Sequence, residues 1–280
     1  MEWERAKNIL LIAFVILNLG LAGLLFLEDR RYTLSSDRVS HINMVLSENN
    51  INLYTTLMRR FAPMRHLDIS GFYYDIDMLL EIFFEDVTDV VQEEAYLFTR
   101  GSQRLEISNG FISFDNNHNL GENRTAISRA EAIATAENFV MQHFPDFVRD
   151  IVFDEDRGIW VIYRQEYRGQ LIYSNRIEIF VTSYGITLID MQFGQVLGHG
   201  ATPRMIFAPD EVLLTFMQRM RYYRAIHDPI FIVSMDMVYL QEFASDQPEQ
   251  IYPAVPFYRI FIHDTDLPFL INAYTNVMTE

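Results

Sequence analysis

The chain has no cysteine and one lysine, Lys7. Without cysteine there is no disulfide, no thiolate metal site and no thiol nucleophile. Without lysine beyond the seventh residue, amine nucleophiles and Schiff-base chemistry are excluded from nearly all of the chain. No HExxH, no Walker A loop, no dinucleotide fingerprint and no G-x-S-x-G elbow occurs. The seven histidines are His41, His66, His118, His143, His199, His227 and His263, and no two sit at the i, i+4 spacing of a helical zinc site. Ser-His-Asp chemistry stays open, because the members of such a triad are distant in sequence.

What is present points to a folded chain. Half of the 280 residues are hydrophobic and 21% are charged, enough apolar surface to offset the entropy of ordering. The formal net charge is −16. Glu2, Glu4, Arg5 and Lys7 cancel, so the whole imbalance lies beyond Leu27. Such a surface repels phosphate backbones, which argues against nucleic acid as a partner.

From Ile9 to Leu27 the chain carries no charge, and Asn18 is its one strongly polar side chain. As a helix this run spans roughly 28 Å, close to the hydrocarbon thickness of a bilayer. Trp3 precedes it at the level where an indole meets headgroups, and Arg30 and Arg31 follow it as interface anchors. A cleaved signal peptide needs a shorter apolar core and a small-x-small site, and a helix packed on the surface of a core has a polar face, which this run lacks. The run is therefore expected to be a membrane anchor. Charges on its two sides do not decide its orientation, with Arg5 and Lys7 before it and Arg30, Arg31 and Arg38 after it.

Asn18 stands out within it. An amide in hydrocarbon gains about 0.6–2 kcal/mol by pairing with another helix, or it bonds its own backbone. Gly20 and Gly23, beside it in sequence, would allow close approach. Phe14, Leu17, Asn18 and Leu21 are the expected contact face for a membrane partner.

Three segments follow, each opening on a helix signal. Ser35-Ser36-Asp37 is good N-cap chemistry ahead of Val39, Ile42, Val45 and Leu46, and Asn49-Asn50 ends that helix. Leu67 to Ile69, Met78 to Phe84, Ala95 to Thr99 and Phe111 to Phe114 are strand candidates. Ser128 with Glu131 forms a capping box before Ile133, Ala136, Val140 and Phe144, and Pro145 stops the helix. Strands are expected at 159–165, 177–182 and 186–193, with turns at Arg168-Gly169 and Tyr184-Gly185. In the third segment Pro209, Asp210 and Glu211 suit a helix start, and Leu213, Phe216, Met220 and Tyr223 make a stripe. Strands at 230–239, 257–263 and 269–274 complete it.

The second and third plans superpose with an offset near 80: Ile127-x-x-x-Glu131 matches Phe207-x-x-x-Glu211, and Leu188-Ile189-Asp190 matches Leu270-Ile271-Asn272. The expected fold class is α+β, a single transmembrane helix followed by repeated helix-on-antiparallel-sheet units.

Other motifs carry less. Asp115-Asn116-Asn117-His118-Asn119-Leu120-Gly121 resembles the start of a calcium loop, but Leu120 and Ala126 stand where Gly and Glu are needed. It reads as an Asx-rich turn. Asp75, Asp77, Glu81, Glu85, Asp86 and Asp89 read as a solvated face or a patch for a basic partner. Met217 and Met220 read as core filling. No catalytic, metal or cofactor site is expected.

Glu2-Trp3-Glu4-Arg5-Ala6-Lys7 followed by Phe14-Val15-Ile16-Leu17-Asn18 resembles the opening of YycI proteins, single-pass auxiliaries of the WalK/WalR cell-wall two-component system of Gram-positive bacteria. Leu46-Ser47-Glu48-Asn49-Asn50-Ile51 and Pro256-Phe257-Tyr258-Arg259-Ile260 are similar to later parts of that family, and the remainder matches in pattern. The resemblance implies a cytoplasmic tail (1–8), a transmembrane helix (9–27), and an extracellular first segment (28–124), second unit (125–202) and third unit (203–280). It also implies a YycH-like partner and non-enzymatic regulation of a sensor histidine kinase through transmembrane helix contacts. The acidic, lysine-free ectodomain departs from what the resemblance leads one to expect. Helix-on-sheet units ending in Leu-Ile-Asp-x-x-x-Gly are also similar to PepSY-type domains, which implies a peptide-binding or protease-inhibiting module as the alternative. An exported wall hydrolase is the third reading.

Overall fold

The computed structural model describes residues 2–72, 75–84, 87–108, 110–116, 127–223, 229–241 and 251–279. The chain is α+β. An N-terminal helix α1 (Glu2–Arg31) leads into α2 (Ser36–Glu48), β1 (Ile51–Leu53), β2 (Leu67–Phe72) and α3 (Ile76–Phe84). Then come β3 (Val91–Glu94), β4 (Leu97–Arg100), β5 (Gln103–Ser108) and β6 (Phe111–Asn116). Helix α4 (Arg129–His143) precedes β7 (Phe147–Glu155), β8 (Gly158–Tyr167), β9 (Gln170–Thr182), β10 (Gly185–Gln192) and β11 (Gly194–His199). Helix α5 (Pro209–Tyr223) precedes β12 (Ile230–Gln241), β13 (Ile251–Ile262) and β14 (Phe269–Asn272).

One 14-stranded sheet joins them, with the path β11-β2-β13-β12-β9-β10-β6-β5-β4-β3. β1 and β14 add to β12 and β13, and β8 pairs both β7 and β9. The internal repeat is visible here. α4 is followed by the antiparallel run β8-β9-β10, and α5 by the antiparallel run β12-β13-β14. Ile189 and Ile271 occupy matching central positions of the last strand of each run, 1% and 0% exposed.

The two helix starts share one device. Ser128 Oγ accepts from the Glu131 amide at 3.2 Å, one half of a capping box. In α5 the other half is present: Glu211 Oε2 accepts from the Ala208 amide at 3.4 Å. Pro209 stands at the first helical position, where no amide donor is missed.

Two main cores result. Ala132, Ala136 and Val140 of α4, with Leu79 and Phe83 of α3, cover Val161, Ile177, Ile179 and Val181. Leu213, Phe216 and Met220 of α5, with Ile42 and Leu46 of α2, cover Ile232, Tyr258, Ile260 and Ile271. The side chain of Tyr223 lies outside the described residues.

One expected strand is a helix. Met78 to Phe84 belongs to α3, where Leu79 and Phe83 lie one turn apart and are buried. The run is apolar on both faces, so its period cannot separate strand from helix. Its start is set by Asp75, whose Oδ1 accepts from the Asp77 amide at 3.0 Å. Asp75, Asp77, Glu81 and Asp89 are exposed, while Glu85 and Asp86 lie outside the described residues. So does most of the calcium-like stretch, from 117 to 126.

Candidate functional site: the anchor helix and the joint between the repeats

The helix α1 is long and apolar enough to cross a membrane, and none of its most apolar stretch, Trp3–Leu24, is buried against the rest of the chain. Phe14, Leu17 and Leu21 are 66%, 59% and 50% exposed. With Asn18 they follow i, i+3, i+4, i+7 spacing and share one face. Asn18 Nδ2 donates to the Phe14 carbonyl at 2.8 Å, bonding its own helix. Among the described residues no group donates to its Oδ1. Gly20 borders this face about 60° from Leu17, and Gly23 lies opposite it. At roughly 100° per residue they lie about 160° and 140° around the helix from Asn18, so close approach at Asn18 cannot depend on them. Trp3 is 81% exposed near one end of α1. Arg30 and Arg31 occupy the last turn, with Arg31 Cζ 5.7 Å from the Tyr32 ring centroid.

The second feature lies where the two repeats meet. β8 and β9 pair in register from Ile159–Val181 to Arg164–Arg176, and the next pair is Gln165–Ile172. Tyr173, Ser174 and Asn175 are thus bulged out. β9 changes its other neighbour across this bulge: Leu171 and Ile172 pair with β12, and Arg176 to Thr182 with β10. Asn175, fully buried, clamps the branch point. Its Nδ2 donates to Gly194 O at 2.9 Å and Gln165 Oε1 at 2.6 Å, and its Oδ1 accepts from Gly194 N at 3.2 Å.

A buried ionic chain crosses the same joint. Arg259 of β13 donates through Nη1 to Asp150 of β7 at 2.6 and 2.7 Å, and through Nε and Nη2 to Asp236 of β12 at 2.8 Å each. Asp150 also pairs with Arg164 Nε at 3.5 Å. Arg164 donates to the Tyr173 carbonyl and lies over that ring, Cζ 3.9 Å from its centroid. The side chains of Asp150, Arg164 and Arg259 are 4%, 2% and 4% exposed, whereas Asp236 is 42% exposed. Burial pulls the Arg259 guanidinium down, but the hydrogen bonds of Asp236 and the charge of Asp150 more than reverse it. Burial lowers Arg164, opposed by Tyr173 and Asp150, and raises the Tyr173 phenol.

This cluster ties β7, β8, β12 and β13 together, and the sequence reading does not single it out. Its signal was available: Arg164 directly follows the apolar run Ile159-Trp160-Val161-Ile162-Tyr163, and Arg259 lies within Phe257-Tyr258-Arg259-Ile260-Phe261. A charge at such a position needs a buried partner.

Among the described residues no group of three His, Asp or Glu side chains could hold a metal. Of the described histidines, His263 meets Asp264 at 2.8 Å on the surface, and His66 meets Asp68 at 3.2 Å. His199 lies 5.8 and 6.2 Å from the rings of Tyr167 and Tyr239, its buried Nδ1 without a hydrogen-bond partner among the described residues. Burial, then the charges of Arg168 and Arg65, lower its pKa below the usual 6.5. His118 and His227 lie outside the described residues.

No family model matches the chain, and no curated protein matches it. Solved structures do. An uncharacterized protein from Eubacterium rectale aligns over 82% of this chain and 90% of its own, with TM-score 0.53 and 12% identity. The C-terminal domain of Bacillus megaterium YpeB aligns over 73% of this chain and 93% of its own, with TM-score 0.44 and 10% identity. YycH from Bacillus subtilis aligns over 76% of this chain and 56% of its own, with TM-score 0.47 and 10% identity. Of these three, the Eubacterium protein shows a shared fold, and at its identity it shows the fold alone.

Proposed function

We propose that this chain is a non-enzymatic, membrane-anchored regulator that biases a cell-wall sensor histidine kinase of the WalK/WalR type, acting with a YycH-like partner through contacts of α1. The observation that carries this reading is the apolar helix with a continuous exposed face around Asn18 and no packing partner among the described residues. A differential contact of about 1–3 kcal/mol between two kinase states changes their ratio about 5–150-fold. The similarity of the N-terminal residues to YycI proteins supports the partner and the orientation, with the N-terminus cytoplasmic and the sheet domain extracellular.

The test is a crosslinking pull-down from native membranes, with the full chain beside a version whose α1 is replaced by an unrelated apolar helix. Recovery of a sensor kinase and a YycH-like protein with the native helix alone is the expected result. Recovery of the same partners by both chains would place recognition in the sheet domain.

That outcome belongs to the second reading, an extracellular PepSY-like peptide- or protein-binding module. The repeated helix-on-meander units favour it. A soluble chain beginning near Arg31 would then retain activity.

A further inference from the structure

In a chain of net charge −16, residues 49–67 contain Arg59, Arg60 and Arg65 and no Asp or Glu. The fold brings part of this acid-free stretch back to the exit of α1. The Leu34 amide donates to Arg59 O at 2.8 Å, and the Phe61 amide donates to Tyr32 O at 2.9 Å. Thr33 and Arg60 form an antiparallel bridge between them. Tyr32 and Phe61 meet edge to face at 6.3 Å, fixing the strap over the first residues beyond the helix.

Simple distances set the level of these groups. The apolar run ends at Leu27, so Arg30 and Arg31 lie roughly 4.5–6 Å past it at 1.5 Å per residue. The polar layer on each side of a bilayer is about 5–8 Å thick. The strap runs about 4.8 Å beside Tyr32–Leu34, so Arg59 and Arg60 stay at or just above the headgroups. Arg30, Arg31, Arg59 and Arg60 are all exposed.

From this juxtaposition we infer that Arg31, Arg59 and Arg60, with Arg30, form a cationic collar that binds the phosphates of anionic phospholipid headgroups in the leaflet facing the domain. The inference rests on the membrane-anchor reading above. Guanidinium forks suit phosphate oxygens. Glu28 and Asp29 offset Arg30 and Arg31 in charge, so Arg59 and Arg60 supply the net attraction at the base, while the acidic remainder of the domain is repelled by the same leaflet. The strap is held by the backbone of Arg59 and Phe61, so the Arg59 side chain can be exchanged without removing it.

The experiment uses the full chain in nanodiscs of phosphatidylcholine with about a third phosphatidylglycerol. A trace of phosphatidylglycerol or phosphatidylcholine carries a photoreactive headgroup, and crosslinks are mapped to residues 58–62. The expected result is stronger crosslinking by the anionic probe, falling roughly fivefold for each arginine removed in R59Q and R59Q/R60Q. Crosslinking by the zwitterionic probe should not change. Equal yields from both probes, or no loss in R59Q/R60Q, would overturn the collar while leaving the anchor in place. A chain that fails to float with the lipid would overturn the collar and the anchor together.

Discussion

Arg259 Nη1 reaches both carboxylate oxygens of Asp150, at 2.6 and 2.7 Å, and this contact ties the third segment of the chain to the second. Both side chains are 4% exposed, so neither charge has water to fall back on. Removing Arg259 leaves the buried Asp150 with only the longer contact to Arg164 Nε at 3.5 Å. Arg259→Met is expected to cost about 3–5 kcal/mol in urea unfolding of the full chain in micelles. Asp236→Asn removes a carboxylate that is 42% exposed and is expected to cost about 1 kcal/mol or less. Equal losses from the two would mean that the joint is not organised around Asp150.

Gly194 closes the branch point from the other side. A Cβ at this position would lie 2.3 Å from Ser70 O, a backbone atom that cannot step aside alone. Gly194→Ala is expected to destabilise by about 1–3 kcal/mol through forced backbone movement. It should also disturb Asn175, which bonds both the amide and the carbonyl of this glycine. The check is thermal unfolding, with hydrogen exchange at the β9 bulge showing the local effect.

His199 gives the fold a pH dependence of known sign. Its pKa is lowered in the folded chain, by burial first, so the unfolded state binds its proton more readily. Stability should therefore hold above the unfolded value of about 6.5 and fall as pH drops below it. His199→Phe should flatten that part of a pH series of unfolding midpoints. An unchanged slope in the variant would assign the effect to other groups.

Asn18→Leu keeps α1 apolar and removes one side-chain hydrogen bond to Phe14 O. Helix insertion should be unchanged or improved. Association with the membrane partner should weaken by about 0.6–2 kcal/mol, roughly 3–30-fold. A two-hybrid readout within the membrane measures the loss, and Ile16→Leu on the far face is the control.

Much of the fold was legible because its signals are local. Ser35, Ser128 and Pro209 mark the starts of α2, α4 and α5. Ile177, Ile179 and Val181 alternate into one core and are each 0% exposed. Met78 to Phe84 was misread because its apolar residues have no single period. The sheet order was not legible. β2 lies between β11 and β13, and β6 beside β10, so the first segment's strands sit on both sides of the repeats. Nothing near those residues in sequence encodes such distant pairings. The ionic joint was hidden for the same reason, since Asp150 and Arg259 are 109 residues apart. Phe14, Leu17, Asn18 and Leu21 fall on one side of α1 by their spacing.

The account depends most on which side of α1 meets a partner. A photoreactive residue placed in turn at positions 12, 14, 16, 17, 19 and 21 of the full chain, in native membranes, reads this directly. Crosslinks to a sensor kinase or a YycH-like protein should be strong from Phe14, Leu17 and Leu21 and weak from Ile12, Ile16 and Leu19, which lie roughly 150–170° around the helix from the centre of that face. Crosslinks without helical period, or strongest from Ile12, Ile16 and Leu19, would contradict it.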